Sequence, residues 1–96
     1  MSLELTDGRV VWTLPSKVNI YSVAELKTSM NAALVQKRDV VCQMKQVEDF
    51  DGAGLQFLMA GREFAAQQNC GFAVSKPGPE VVDALQAMGL SNMIGE

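Results

Sequence analysis

Three carboxylates crowd one short stretch of this 96-residue chain, Glu48, Asp49 and Asp51. Acids at such spacing are raw material for general acid–base work or for a hard-cation site. Clustered ahead of a helix they serve more simply as a cap and a solvated surface, with Asp51 as the capping residue. The turn that follows, Asp51-Gly52-Ala53-Gly54, is a helix start almost without side chains. Unpaired N–H groups at the positive end of a helix dipole attract an anion, and bare backbone admits the close approach of a protein. Asp51 competes for those donors and adds negative charge, so protein approach is the stronger of the two readings. The glycines match neither the GxGxxG dinucleotide fingerprint nor a phosphate loop ending in Gly-Lys-Ser/Thr.

The rest of the composition narrows the chemistry further. The chain has no histidine, which removes the commonest general base, the Ser/His and Cys/His nucleophile pairs and the usual zinc ligand. No nucleophile and base can be assembled, so the expectation is a non-enzyme without metal or cofactor. Cys42 and Cys70 stand apart with no CxxC and no secretory signal. They read as buried thiols in a reducing cytoplasm. Eight basic side chains against 11 acidic ones, net charge −3, form no basic stripe, and nucleic acid is not an expected partner. The longest apolar runs fall far short of the roughly 18 residues a membrane span requires, so direct membrane insertion is not expected either.

Ninety-six residues, 48% of them hydrophobic and 20% charged, suit one globular domain over residues 1–96. Leu3 to Leu5 and Arg9 to Leu14 read as strands joined across Asp7-Gly8, a hairpin signal, with Pro15 as the stop. Ser22 with Glu25 three residues on forms a capping box, and Tyr21 with Leu26 a hydrophobic staple. Val23, Leu26, Met30, Ala33 and Leu34 then follow the helical period, with Lys37 and Arg38 set at the negative end of the dipole. Val40-Val41-Cys42 is an apolar run suited to a strand covered on both faces. The second helix starts at Asp51, with Phe50 and Leu55 as its staple, and runs to about Asn69, where Gly71 helps to end it. Phe72 to Val74 is a strand. Pro79 opens a third helix through Val82, Leu85 and Met88, closed by a left-handed Gly89 with Leu90 packing back. A short strand or helical turn at Met93-Ile94 completes the order. The fold class is α/β, a mixed, mostly parallel sheet of four to five strands flanked by helices.

The second helix is unusual in its breadth of apolar surface. Ala53, Phe57, Ala60, Gly61 and Phe64 follow one side, and Leu55, Leu58, Met59 and Ala65 carry the arc past half the circumference. Burial between two other helices explains most of that arc, and exposure of one part to a partner or to a second copy of the chain explains the remainder.

Val40-Val41, Val47, Phe50-Asp51, Gly54-Leu55-Gln56, Leu58, Pro79, Val82, Leu85 and Gly89-Leu90, in this order and spacing, resemble a STAS domain, the module of sulfate transporters and anti-sigma factor antagonists. The resemblance spans nearly the whole chain. It implies a mixed sheet with flanking helices, and a partner surface centred on the start of the second helix. In anti-sigma factor antagonists the residue two after this aspartate is a serine phosphorylated by a partner kinase. Here it is Ala53, preceded by Gly52, so neither position offers a hydroxyl, and Gln43 stands where relatives often carry an aspartate. What the resemblance implies is therefore partner binding without phosphorylation at this turn, through Asp51, Gly52, Ala53, Gly54 and Leu55, with Phe57 and Met59 as apolar contacts. The implied partners are an anti-sigma factor or kinase-like ATPase, or a chemotaxis component. The alternative is a subunit of a lipid ABC transporter, whose STAS turn often reads Asp-Thr-Ala-Gly-Leu and shares Ala53-Gly54-Leu55 with this chain.

Overall fold

A computed structural model describes residues 2–95 of the chain, apart from the Ser2 side chain. The N-terminal hairpin forms where the turn chemistry places it. Strand β1 (Ser2–Thr6) pairs antiparallel with β2 (Arg9–Thr13), and Asp7 and Gly8 both hold positive φ, as a two-residue type I′ turn demands. Two crossovers then lay β4 (Val40–Gln43) and β6 (Phe72–Ser75) parallel to β2, giving the order β1-β2-β4-β6. A parallel bridge from Val74 to Ile94 adds a vestigial strand beyond β6. Between them run α1 (Val23–Leu34), α2 (Gly52–Gln67) and α3 (Pro79–Ala87). A single 3-10 turn, Ser91–Met93, follows α3.

The helices form one layer, with α2 in contact with α1 on one side and α3 on the other. The strand periodicity of two identifies the face they cover. Val10, Trp12, Leu14, Val40, Cys42, Met44 and Val74 share a core with Leu26, Met30, Phe57, Leu58, Val81 and Leu85. The Trp12 and Phe57 rings meet edge-on at 5.8 Å. Val41, buried but outside that core, lies on the opposite face in register between Val11 and Ala73. The run Val40-Val41-Cys42 is buried throughout, as expected of a strand covered on both faces, with Val40 and Cys42 in the core under the helices and Val41 covered by its position in the middle of the sheet. The indole N–H of Trp12 is buried without an acceptor among the described residues.

Local departures from the sequence reading concentrate at helix ends. Ser22 makes no capping bond to α1, and Tyr21, 91% exposed, forms no staple with Leu26. The helix ends at Leu34, ahead of the basic pair. Lys37 turns back with φ 53°, and Arg38 donates instead to the Gly8 carbonyl across the hairpin turn, at 3.3 Å. The close of α2 falls to Asn69, with φ 61°. The N–H groups of Asn69 and Cys70 donate to the Ala66 and Ala65 carbonyls, a Schellman arrangement. Gly71 serves a different purpose: its N–H donates to the Asp39 carboxylate at 2.7 Å. At the end of α3, Gly89 takes the expected left-handed φ of 69° and Leu90 packs on the core. Within α3 the buried valine is Val81, with Val82 half-buried.

Candidate functional site

Residues 16–22 and 47–54 meet at one end of the sheet, and this meeting builds the candidate site. Two short strands absent from the sequence reading, β3 (Lys17–Val18) and β5 (Asp49–Phe50), pair in parallel there. Each is too short and too poor in side-chain pattern to stand out alone. The Glu48 and Asp49 N–H groups donate to the Ser16 carbonyl at 2.8 and 3.0 Å, clamping the acidic segment against the residue that leads into β3.

The three carboxylates do not form one catalytic pair. Asp49 accepts from the Asn19 side-chain amide at 2.9 Å. Asp51 is the N-cap of α2, its Oδ1 accepting from the Gly54 N–H at 3.0 Å. Its Oδ2 accepts from the Ile20 N–H at 3.1 Å. Those bonds, the one from Gly54 first and the one from Ile20 second, hold its carboxyl below the usual carboxylate range because they favour the ionised form. Glu48 is exposed.

The key to the neighbouring loop is Asn19, which sequence reasoning passed over. It is 6% exposed, its Oδ1 accepts from the Tyr21 N–H at 2.9 Å, and its carbonyl accepts from the N–H groups of Ser22 and Val23. The Ser22 hydroxyl accepts from the Asn19 N–H and donates to the Lys17 carbonyl, so it locks the loop instead of capping the helix. The signal was an asparagine between a strand and a helix, where a side chain that bonds its own backbone builds a turn. The result presents Ile20 and Tyr21, 61% and 91% exposed, beside the first turn of α2.

The predicted docking residues divide by depth. Gly52 is exposed, with open space around it, and Ala53 is half-buried. Gly54 is buried, and a Cβ there would strike the Val18 carbonyl oxygen and the Phe50 ring. Its bare backbone therefore serves the packing of β3 against α2 within the chain. Phe50 and Leu55 both pack on the edge of the core. Phe57, 4% exposed, belongs to the core through Trp12. Met59 is half-buried on α2. A groove of ≈ 320 Å³ between α1 and α2 opens beside Ala53, lined by Ile20, Val23, Lys27, Gln56 and Ala60 among others, with Phe57 at its floor.

Both cysteines are free, Cys42 buried and Cys70 half-buried, which corrects the expectation that both are buried. Burial pushes the Cys42 thiol well up. Among the described residues no helix is long and apolar enough to cross a membrane.

Comparison with known proteins bears on this arrangement. The family model described as Mlab, STAS domain matches residues 1–95. A search of curated proteins gives no match. The fold is similar to the anti-sigma factor antagonist SpoIIAA in its unphosphorylated form, with TM-score 0.80, 16% identity, and 98% of this chain and 84% of that one covered. It is similar also to an anti-sigma-factor antagonist (STAS) domain protein from Planctomyces limnophilus, with TM-score 0.84, 19% identity and coverage of 97% and 85%. A third similar structure is a putative anti-sigma factor antagonist from Thermotoga maritima, with TM-score 0.84, 18% identity and coverage of 97% and 81%.

Proposed function

Because this chain belongs to the STAS-domain family, we propose that it is a non-enzymatic regulatory module of the cytoplasm that docks on an ATP-hydrolysing, kinase-like or signalling protein through the entrance of α2. The observation that carries this reading is the setting of that entrance. Ile20 and Tyr21 stand exposed on a loop bonded to Asp51, beside an open Gly52 and a half-buried Ala53. Docking there buries two large apolar side chains, at roughly 25 cal/mol per Å² of apolar surface, and lets a partner backbone approach α2 closely.

The docking is governed by occupancy. A phosphoryl group needs an oxygen nucleophile and brings roughly −1.5 to −2 charge, and Gly52 and Ala53 supply no hydroxyl. Partner abundance or the partner's nucleotide state then sets the bound fraction. Asp51, Gly54, Leu55 and Phe57 act from beneath by fixing the shape of the turn, and Gly52, Ala53 and Met59 lie on the partner side.

The alternative is a subunit of a lipid ABC transporter, and the shared Ala53-Gly54-Leu55 favours it. The test is a titration of the purified chain against the ATPases encoded beside its gene, kinase-like and transporter types in parallel, with labelled ATP present. Binding of a kinase-like ATPase that Ala53→Glu weakens at least 100-fold, with no label on the wild type, supports the leading reading. Binding of the transporter ATPase alone selects the alternative. Equal binding by Ala53→Glu rejects the surface, and label at residues 51–55 rejects the phosphorylation-free mechanism.

A further inference from the structure

The two edges of the main sheet are finished differently. At the β6 edge the chain returns and closes the ladder, with Ile94 bridging Val74 and the Gly95 N–H donating to the Val74 carbonyl at 3.0 Å. Among the described residues nothing pairs with the outer edge of β1. The direction of its free groups follows from the ladder. The Val10 N–H donates away from β1, to the Asp39 carbonyl at 2.8 Å, and Val10 is the register partner of Leu5. Leu5 is therefore in a non-hydrogen-bonded pair with β2, and by the alternation of an antiparallel ladder so is Leu3. The N–H and C=O of both leucines point outward.

Their side chains lie on the helix-layer face, in register with Val10 and Trp12, and are 61% and 41% exposed for Leu5 and Leu3. A groove of ≈ 170 Å³ follows them, lined by Leu3, Glu4, Leu5, Val10 and Gln36, with Val35, 68% exposed, at the nearby end of α1. Natural edges are usually blunted by lysine, proline, a bulge or a covering segment. This one carries a single charge, Glu4.

We propose that β1 pairs antiparallel with β1 of a second copy, joining two four-stranded sheets into one across a two-fold axis at Leu5. A strand edge takes a strand, and β1 has the pattern this groove accepts, two leucines on one face at a spacing of two. Charge chooses the register. Centring the axis on Glu4 would set that carboxylate directly against its own copy in the close, non-hydrogen-bonded pair. Centring it on Leu5 pairs Leu5 with Leu5 through both outward groups. Glu4 then lies against Thr6 of the second copy, in the same row as Arg9, which is the β2 partner of Thr6. Opposite charges share that row in both halves. Each Leu3 then covers the hairpin turn of the other copy. The contact is small, so the dimer is a concentration-dependent one.

Sedimentation equilibrium from about 10 µM to about 1 mM tests the proposal across the range of weak association. The wild type is expected to shift from monomer towards dimer, with the Leu5 amide gaining protection from hydrogen exchange as it does so. Leu5→Pro, whose missing N–H points away from β2, and Leu5→Lys are expected to weaken association at least tenfold while keeping the circular dichroism of the fold. Glu4→Gln is expected to leave it unchanged or weaker, and Ala53→Glu unchanged. A wild type that stays monomeric throughout overturns the proposal, as does a dimer indifferent to both Leu5 variants. Tighter association of Glu4→Gln moves the axis to Glu4 and overturns the assigned register.

Discussion

The Asp51 carboxylate joins two segments distant in sequence: while one oxygen caps α2, the other accepts the Ile20 N–H at 3.1 Å. The cap of a helix is thereby also the anchor of the exposed loop beside it, so one side chain controls both stability and the shape of the proposed docking face.

Replacing Asp51 tests that double role through pH. Its folded pKa is held below the usual value, by the Gly54 bond first and the Ile20 bond second. The stability it contributes is complete above the unfolded carboxylate pKa of about 3.9 and is lost as pH falls through the lower folded value. Asp51→Ala is expected to melt several degrees below wild type at pH 7, and the gap is expected to narrow below about pH 4. Thermal melts of both proteins across pH 2.5–8 check this. A gap independent of pH would mean that the carboxylate bonds are not its source.

The two glycines of the same turn are expected to answer oppositely to alanine. Gly52 faces open space in the first turn of a helix, so Gly52→Ala should raise stability by about 0.4–1 kcal/mol by restricting the unfolded chain. At Gly54 the new methyl meets the Val18 carbonyl and the Phe50 ring. Gly54→Ala should cost about 1–3 kcal/mol, because a backbone oxygen does not step aside as a flexible side chain does. Urea unfolding of the pair decides it, and a matched response would mean that β3 does not press on α2 as described.

Tyr21 and Phe57 separate docking from folding. Tyr21 is 91% exposed, so Tyr21→Ala should leave the melting temperature within a degree or so of wild type and weaken partner binding at least tenfold. Phe57 lies against Trp12 in the core, so Phe57→Ala should cost about 3–5 kcal/mol in stability. Calorimetric titration beside denaturant melts resolves the two effects. Partner binding that ignores Tyr21→Ala would remove loop 19–22 from the interface.

The thiols should differ in reactivity. Cys42 is fully buried and its thiol is pushed up by desolvation, which starves it of the reactive thiolate. Cys70 is half-buried on the α2–β6 turn. A disulfide reagent at pH 8 is expected to label Cys70 promptly and Cys42 only at the rate of unfolding, measured by mass spectrometry over time. Equal labelling would mean that the core around Cys42 opens readily.

Much of this molecule is legible along its chain because the relevant physics is local. The Asp7-Gly8 turn, the Asp51 cap, the Gly89 stop and the alternation that buries Val10, Trp12 and Leu14 depend on the preferences of a few adjacent residues. The order of three helices and a mixed sheet follows from them. Tertiary structure alone decided what depends on approach between distant segments. Strands β3 and β5 exist only as each other's partners. Gly54 is bare for Val18, and Ser22 leaves the end of α1 because Asn19 and Lys17 claim its hydroxyl. Phe57 went to the core because the register of α2 on the sheet aims it at Trp12, and Ile20 and Tyr21 went to the surface because the bonds of Asn19 and Ser22 hold their loop with both side chains outward. Periodicity records which residues share a side, but only the packing of one element on another records which side is covered.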